Sequence, residues 1–303
     1  MTVGPPSDRT VDPVVAGAVR AAGAAARASG VVLHELSAIE DLREVVGLYA
    51  EIWGRDTSPA VPLELLRAFA KAGSYVVAAC DGDDLVGACV GFFATPSERG
   101  LHSHIAGVAG RARGRNVGFA LKAHQRAWAL SRGLAEVTWT FDPLVSRNAH
   151  FNFGKLAASA QEYLPNFYGV MADSINGSDD TDRLLVTWQL SDPVVTAACE
   201  GLTRPVHAAD ELAAGAVVAL AVSDTGAPVT GRLDAGTSLV AVPPDIETLR
   251  RTQPGLAREW RLALRETLAA LVVRGGHVRG FDRTGWYVVG PPVAGVDTGG
   301  WNR

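Results

Sequence analysis

The segment Val108–Leu121, V-A-G-R-A-R-G-R-N-V-G-F-A-L, carries the strongest chemical signal in the chain. It reads as the end of a strand, a loop of glycines and arginines, and the start of a helix. A helix start exposes backbone N–H groups that have no intrahelical partner, together with the positive end of the helix dipole. The combination makes an anion site suited to a pyrophosphate. Arg113 and Arg115 add positive charge, and Gly114 and Gly118 allow close backbone approach. A plain helix cap with two solvated arginines is the competing reading of the same residues. A second set lies just upstream in LHSHIAGV, residues 101–108, where His102 and His104 share one face of a strand by its period of two. Imidazole titrates near neutrality and suits proton transfer. Two polar strand residues with no further role is the plainer alternative.

The elements around these residues follow from hydrophobic periodicity. Pro13–Ser29 is an Ala-rich helix with Asp12 as N-cap and Pro13 at its first position. Residues 31–36 form a short strand. Ile39, Leu42, Val45, Val46, Tyr49, Ile52 and Trp53 then fall on one helical stripe. Pro62–Gly73 is a second helix, and two strands follow, joined by a tight turn at Asp81–Asp84. The strand 101–108, the loop, and a helix Phe119–Arg132 closed by Gly133 come next. Residues 136–143 form a strand, Arg147–Ala157 a helix and Leu184–Leu190 a strand. The order β, α, α, β, β, β, α, β, α, β predicts an α+β fold, a central mixed sheet flanked by helices. Downstream, Val217–Val222 and Leu239–Val242 read as strands. A helical pattern from Asp245 to Arg274 breaks before Pro254, and residues 277–289 read as a hairpin. This divides the chain into a tail and helix (1–30), a main α/β unit (31–191), a C-terminal α/β extension (192–290) and a loose tail (291–303). Five arginines on the long helix (250, 251, 258, 261 and 265) read as a solvated face or, if they face the cleft, as a preference for an anionic acceptor, and Trp260 reads as core.

Composition removes several classes. A 303-residue chain with 48% hydrophobic residues has ample material for a core, and a net charge of −4 without a basic stripe argues against a nucleic-acid binder. No apolar run is long enough to span a bilayer, and the first residues lack the pattern of a secretory leader. The cysteines Cys80, Cys89 and Cys199 have no metal-ligand spacing and their odd number fits no disulfide framework. A cytoplasmic setting and no bound metal are the expectations. A lysine-serine/threonine pair of the Walker type and an ordered dinucleotide glycine pattern are both missing, which weighs against an ordinary nucleotide-binding protein.

The Val108–Leu121 segment resembles the acyl-coenzyme A loop of the GCN5-related N-acetyltransferase (GNAT) superfamily, whose pattern is Arg/Gln-x-x-Gly-x-Gly/Ala. The frame Arg113-Gly114-Arg115-Asn116-Val117-Gly118 departs once, with Asn116 at a glycine position. Asn tolerates the left-handed backbone that glycine would adopt there. A second frame, Arg115 to Ala120, matches fully and starts the helix two residues late. Ala149 and Lys155 fit a further family pattern, Asn-x-x-Ala followed by Tyr-x-Lys, with Ser146 at the asparagine position and Asn148 two residues later. The run TWTFDPLVSRNAHFNFGKLAA…YLPNFYG resembles a subgroup of predicted bacterial acetyltransferases that carry a C-terminal extension, and this likeness covers about residues 31–290. Some relatives are implicated in N-acylation of amino acids, including succinylation.

The resemblance implies acetyl-CoA, or another short acyl-CoA such as succinyl-CoA, as co-substrate. Val108, Arg113, Gly114, Arg115, Asn116, Val117, Gly118 and Phe119 would hold its pyrophosphate, and Asn148 its pantetheine arm. The strand before the loop would splay from the next, and the free N–H near Ala106 would face the thioester oxygen. His102 falls where some members carry a glutamate base. The usual acid, a tyrosine, is replaced by Phe153, and Tyr163 or, better, Tyr168 would substitute. Asp142 and Arg147 flank the expected acceptor side, where Arg147 would grip an acceptor carboxylate. The implied activity is acyl transfer to an amine of a small molecule, such as an amino acid, by direct attack. A non-catalytic acyl-CoA-binding module and a protein-lysine acetyltransferase are the alternatives. No nucleic-acid or membrane partner is implied, and a homodimer is possible.

Overall fold

The computed structural model describes residues 12–54, 59–169, 179–233 and 236–292. The segments expected to be loose at either end fall largely outside them. The main sheet has seven strands: β1 (Val32–Glu35), β2 (Tyr75–Asp81), β3 (Asp84–Phe93), β4 (Gly100–Val108), β5 (Glu136–Phe141), β6 (Ser159–Leu164) and β7 (Arg183–Gln189). Their spatial order is β1-β2-β3-β4-β5-β7-β6. All pairs are antiparallel except β4 and β5, which run parallel because a helix connects them.

Alternation along the strands serves two cores. Tyr75, Val77 and Ala79 of β2 face one side, under the helices α1 (Pro13–Ser29) and α4 (Val117–Ser131). Val76 on β2 and Ala88 and Val90 on β3 face the other, under α2 (Ile39–Trp53) and α3 (Leu63–Lys71). Alanines 18 and 22 of α1 meet alanines 123 and 127 of α4, so small side chains let these two helices pack closely. Asp12 caps α1, its carboxylate accepting from the Val14 amide at 2.8 Å. The mixed sheet flanked by helices is the expected architecture. β6 falls in a stretch for which the sequence pattern predicts no strand.

The helix expected over 147–157 is only partly regular. The single turn α5 (Ser146–Ala149) passes into a π-type turn, His150–Lys155. Such a turn adds a residue to the helical cycle and re-aims the side chains that follow. Phe153 accordingly sits in the core, edge-on to Phe141 and to Tyr287, each 6.0 Å between ring centres.

The chain then crosses α6 (Pro193–Cys199) and α7 (Ala208–Ala213) into a five-stranded sheet, β11-β12-β10-β8-β9. Its strands are β8 (Val217–Val222), β9 (Pro228–Thr230), β10 (Ser238–Ala241), β11 (His277–Asp282) and β12 (Trp286–Gly290). The helical pattern breaks at Gln253 as expected, into α8 (Ile246–Thr252) and α9 (Pro254–Leu264), followed by a second π turn and α10 (Ala270–Val273). Trp260, Leu264 and Leu268 are fully buried. One continuous hydrophobic cluster joins this extension to the main sheet.

The arginine row corrects the sequence reading. Arg250 and Arg261 are not solvated: both lie buried against Asp142 and Asp179. Arg265 binds Asp182 at 2.6 Å, and Asp182 also takes the Tyr163 hydroxyl at 2.7 Å. These pairs fasten the extension to the ends of β5, β6 and β7.

Candidate active site

β4 and β5 pair only at Gly100–Glu136, Leu101–Val137 and His102–Thr138. Beyond that point the two strands part. The opening is reinforced on the β4 side by a bulge: Ile105 pairs with Val90 and Ser103 with Gly91, which leaves His104 as the extra residue. The β3–β4 ladder continues to the Ala109 amide, which donates to the Val86 carbonyl at 2.9 Å. Alternation then gives Ile105 and Gly107 their bonds to β3 and turns the N–H groups of Ala106 and Val108 toward the opening. Gly107 is what lets α2 close the back of it, because a Cβ there would lie 2.8 Å from Ile52 Cδ1 and from Trp53 Cη2. The opening belongs to a cavity of about 780 Å³ that runs from the Gly/Arg loop past β4 and β5 to α5 and α8.

The loop forms one end. Gly114 (φ 82°) and Asn116 (φ 61°) both adopt left-handed backbone, so the asparagine holds the conformation expected at a glycine position. Among the described residues, the amides of Gly114, Asn116, Val117 and Gly118 donate to no backbone carbonyl. They cluster at the first turn of a 15-residue helix. Lys155 adds a cation here, its Nζ donating to Asn116 Oδ1 at 2.7 Å. Arg113, Val108 and Phe119 also line this end, and Asn148 lies beside Phe151 on the facing wall. A Cβ on Gly118 would make only ordinary contacts, 3.8 Å to Val108 and 4.0 Å to Phe151, so close packing within the chain does not require glycine there.

Arg115 departs from expectation. Its guanidinium turns away from the cavity, donating to Asp81 at 2.7 Å and to the carbonyls of Ser29 and Gly30 at 3.2 and 3.3 Å. Its side chain ties the loop to the end of α1 and to the β2–β3 turn.

The two histidines stay close, with ring centres 6.4 Å apart, but meet different surroundings. His104 lines the cavity, whereas His102 sits where β4 and β5 still pair, its Nδ1 3.1 Å from the Thr138 hydroxyl. Both rings flank Phe92, with centres 5.2 and 5.8 Å away. Burial lowers the His104 pKa. Burial, with the neighbouring His104 and Lys122, pushes His102 down to about 4. Both are neutral at pH 7, and His104 is the one placed to take a proton from a molecule in the cavity.

Tyr168 lines the cavity opposite, its hydroxyl 3.1 Å from Thr140 Oγ1 on β5, with the Arg183 guanidinium 5.2 Å from its ring centre. Tyr163 does not reach the cavity and is committed to Asp182.

Asp142, expected at the acceptor side, does border the cavity, but its carboxylate is taken up by the protein. Oδ1 accepts from Arg261 and from the Leu144 amide, and Oδ2 from Arg250 and Arg261. Burial opposes its ionisation, but Arg261 and Arg250 outweigh burial and hold the carboxyl well below the usual carboxylate range. It is a structural anchor. Arg147 does face the cavity, and both its terminal nitrogens are engaged by Glu247, at 2.5 and 2.6 Å. Nothing in the sequence links Glu247, in the first turn of α8, to α5. The sequence pattern that includes Lys155 does not by itself bring it to the loop, where its contact with Asn116 holds it.

No cluster of metal-ligating side chains and no helix long and apolar enough to cross a membrane occur among the described residues.

Residues 39–153, less than half of the chain, match the model of the acetyltransferase (GNAT) family. The likeness to that family falls on the part of the chain that carries the Gly/Arg loop and the opening between β4 and β5. No curated protein sequence matches it. Among solved structures, it is similar to the ribosomal-protein-S18-alanine N-acetyltransferase of Escherichia coli (TM-score 0.44, 10% identity), covering 54% of this chain and 95% of that one. It is similar to an N-acetyltransferase of Staphylococcus aureus Mu50 (TM-score 0.43, 12% identity), with 53% and 98% covered. It is likewise similar to a phosphinothricin acetyltransferase of Sinorhizobium meliloti in complex with acetyl-CoA (TM-score 0.42, 15% identity), with 52% and 87% covered.

Proposed function

We propose that this protein moves an acetyl or other short acyl group, succinyl included, from acyl-CoA to an amine of a small molecule, with both substrates bound together. The observation that carries the proposal is the parting of β4 and β5 beyond His102–Thr138, directly beside four amides at the start of α4 that have no backbone acceptor among the described residues. The amides of Gly114, Asn116, Val117 and Gly118, with Arg113 and Lys155, have the charge and geometry to take a pyrophosphate. A pantetheine arm fits the opening between the strands, where Asn148 and Phe151 form one wall.

In this reading the Ala106 N–H faces the thioester oxygen and stabilises the charge that develops on it. Neutral His104 takes the proton of the attacking amine. Tyr168 protonates the departing thiolate, and Thr140 fixes the tyrosine's position. Phe153 lies in the core, so it plays no part, and Tyr168 in the cavity supports catalysis over a non-catalytic acyl-CoA-binding module. The extension supports a small acceptor, because Arg147 and Glu247 border the same cavity.

The test is a thiol-release screen pairing acetyl-CoA and succinyl-CoA with amino acids and polyamines, beside isothermal titration of each acyl-CoA. Turnover with at least one pair is expected. Tight acyl-CoA binding without release across the panel would favour the binding module, and absence of binding would end the proposal.

A further inference from the structure

We propose that Arg147 and Glu247 form an exchangeable clamp for a substrate carboxylate, in which the carboxylate takes the place of Glu247 on the guanidinium. This rests on the acyl-transfer reading above. The bidentate contact, at 2.5 and 2.6 Å, shows that a carboxylate fits this guanidinium edge-on at the cavity wall. The arginine side chain is 60% exposed and the glutamate 23%, so the guanidinium is the more open partner.

The other charges at this end are committed. Asp142 has both oxygens filled by Arg250, Arg261 and the Leu144 amide, and it offers nothing to an ammonium. Glu247 has both oxygens on Arg147. A substrate anion, by contrast, meets an exposed guanidinium already arranged for a carboxylate.

Glu247 is also free to leave without unseating its helix. α8 is held by the Asp245 cap on the Thr248 amide at 2.9 Å, by buried Ile246, and by Arg250 on Asp142. Exposed ion pairs contribute little to folding. Exchange replaces one carboxylate by another and conserves the two charge-assisted hydrogen bonds. The extension thus supplies the site with a competitor for its own ligand, and removing that competitor tightens binding.

The carboxylate has two possible sources: the acceptor, as in an α-amino acid, or the far end of a dicarboxylic acyl group. Both are read from kcat/KM in the wild type, Glu247→Gln and Arg147→Gln. The acceptor arm uses acetyl-CoA with glycine against methylamine, alanine against ethylamine and phenylalanine against phenethylamine. The acyl arm uses succinyl-CoA against acetyl-CoA with ethylamine. In the arm that supplies the carboxylate, its selectivity ratio rises about five- to tenfold in E247Q and falls at least tenfold in R147Q. A merely structural pair would move both members of each comparison together and leave the ratio unchanged, which overturns the clamp. A ratio that shifts in E247Q toward the amine without a carboxylate overturns it as well, and assigns Glu247 to cation recognition. If the wild type releases no thiol with any pair, the acyl-transfer reading fails on its own. Titration of the same amino acids and of succinyl-CoA then tests the clamp: tighter binding by E247Q and weaker by R147Q upholds it, and equal binding overturns it.

Discussion

The two ends of the cavity are built on opposite principles. At the Gly/Arg loop the chain leaves polar groups without partners: four amides at the first turn of α4 have no backbone acceptor among the described residues. At the α5–α8 end it pairs its charges, Asp142 with Arg250 and Arg261, and Arg147 with Glu247. Unpaired amides around left-handed residues form a preset anion nest, which takes a ligand without giving anything up. A paired end takes a ligand only where a pair can open. Burial decides which one can: Asp142 borders the cavity but it and its arginines are more than nine-tenths buried, whereas the Arg147 side chain is 60% exposed.

The largest effect separates these two pairs. Removing one partner of a buried, hydrogen-bonded ion cluster leaves uncompensated charge, so Asp142→Ala is expected to lower folding stability by about 3–5 kcal/mol, measured by urea unfolding. The sign with pH follows from its depressed pKa. The unfolded carboxyl binds a proton first, so this contribution is fully present above pH 3.8, the ordinary value, and is lost as pH falls further. A change within the range of an exposed pair would mean that the cluster does not anchor the extension.

The next effect is on chemistry. Replacing a general base costs on the order of 100-fold in kcat, and that loss is expected for His104→Gln with acyl-CoA affinity retained. Burial lowers the His104 pKa, and protonation removes its ability to accept a proton. Activity should therefore persist as pH falls from 7 and decline only below 6.5, the unperturbed histidine value. That acid limb should vanish in the variant. An identical limb in both proteins would assign it to another group.

The same contrast explains what was legible in the sequence. The loop was, because its chemistry is local: glycines, arginines and a helix start occupy consecutive positions, and Asn116 announced a left-handed residue. The strand alternation of β2 and β3 and the break before Pro254 were legible for the same reason. The paired end was not. Arg250 and Asp142 meet across 108 positions and Arg261 and Asp142 across 119, so a row of arginines on an amphipathic helix looked like a solvent face. The β4 bulge and the π turn at His150–Lys155 were hidden for another reason. Each adds one residue to a regular period. The bulge sets His104 at the extra position beside the opening and the π turn sends Phe153 into the core, and no composition signal marks either.

The smallest effect tests whether the nest is a matter of backbone or of the Lys155 contact. Asn116 contributes both: φ of 61° and an oxygen that takes the Lys155 ammonium at 2.7 Å. Asn116→Gly keeps the backbone and drops the contact, which is exposed and worth little. Asn116→Val drops the contact and adds the cost of a β-branched residue in the left-handed region, about 1–2 kcal/mol. If the amides hold the pyrophosphate, titration with acetyl-CoA should show roughly tenfold weaker binding for the valine variant and at most a two- to threefold change for the glycine one. Equal losses in both would place the affinity in Lys155 and its partner. Equal retention would mean that the loop adapts to its ligand instead of being set in advance, and the contrast between the two ends would lose its physical basis.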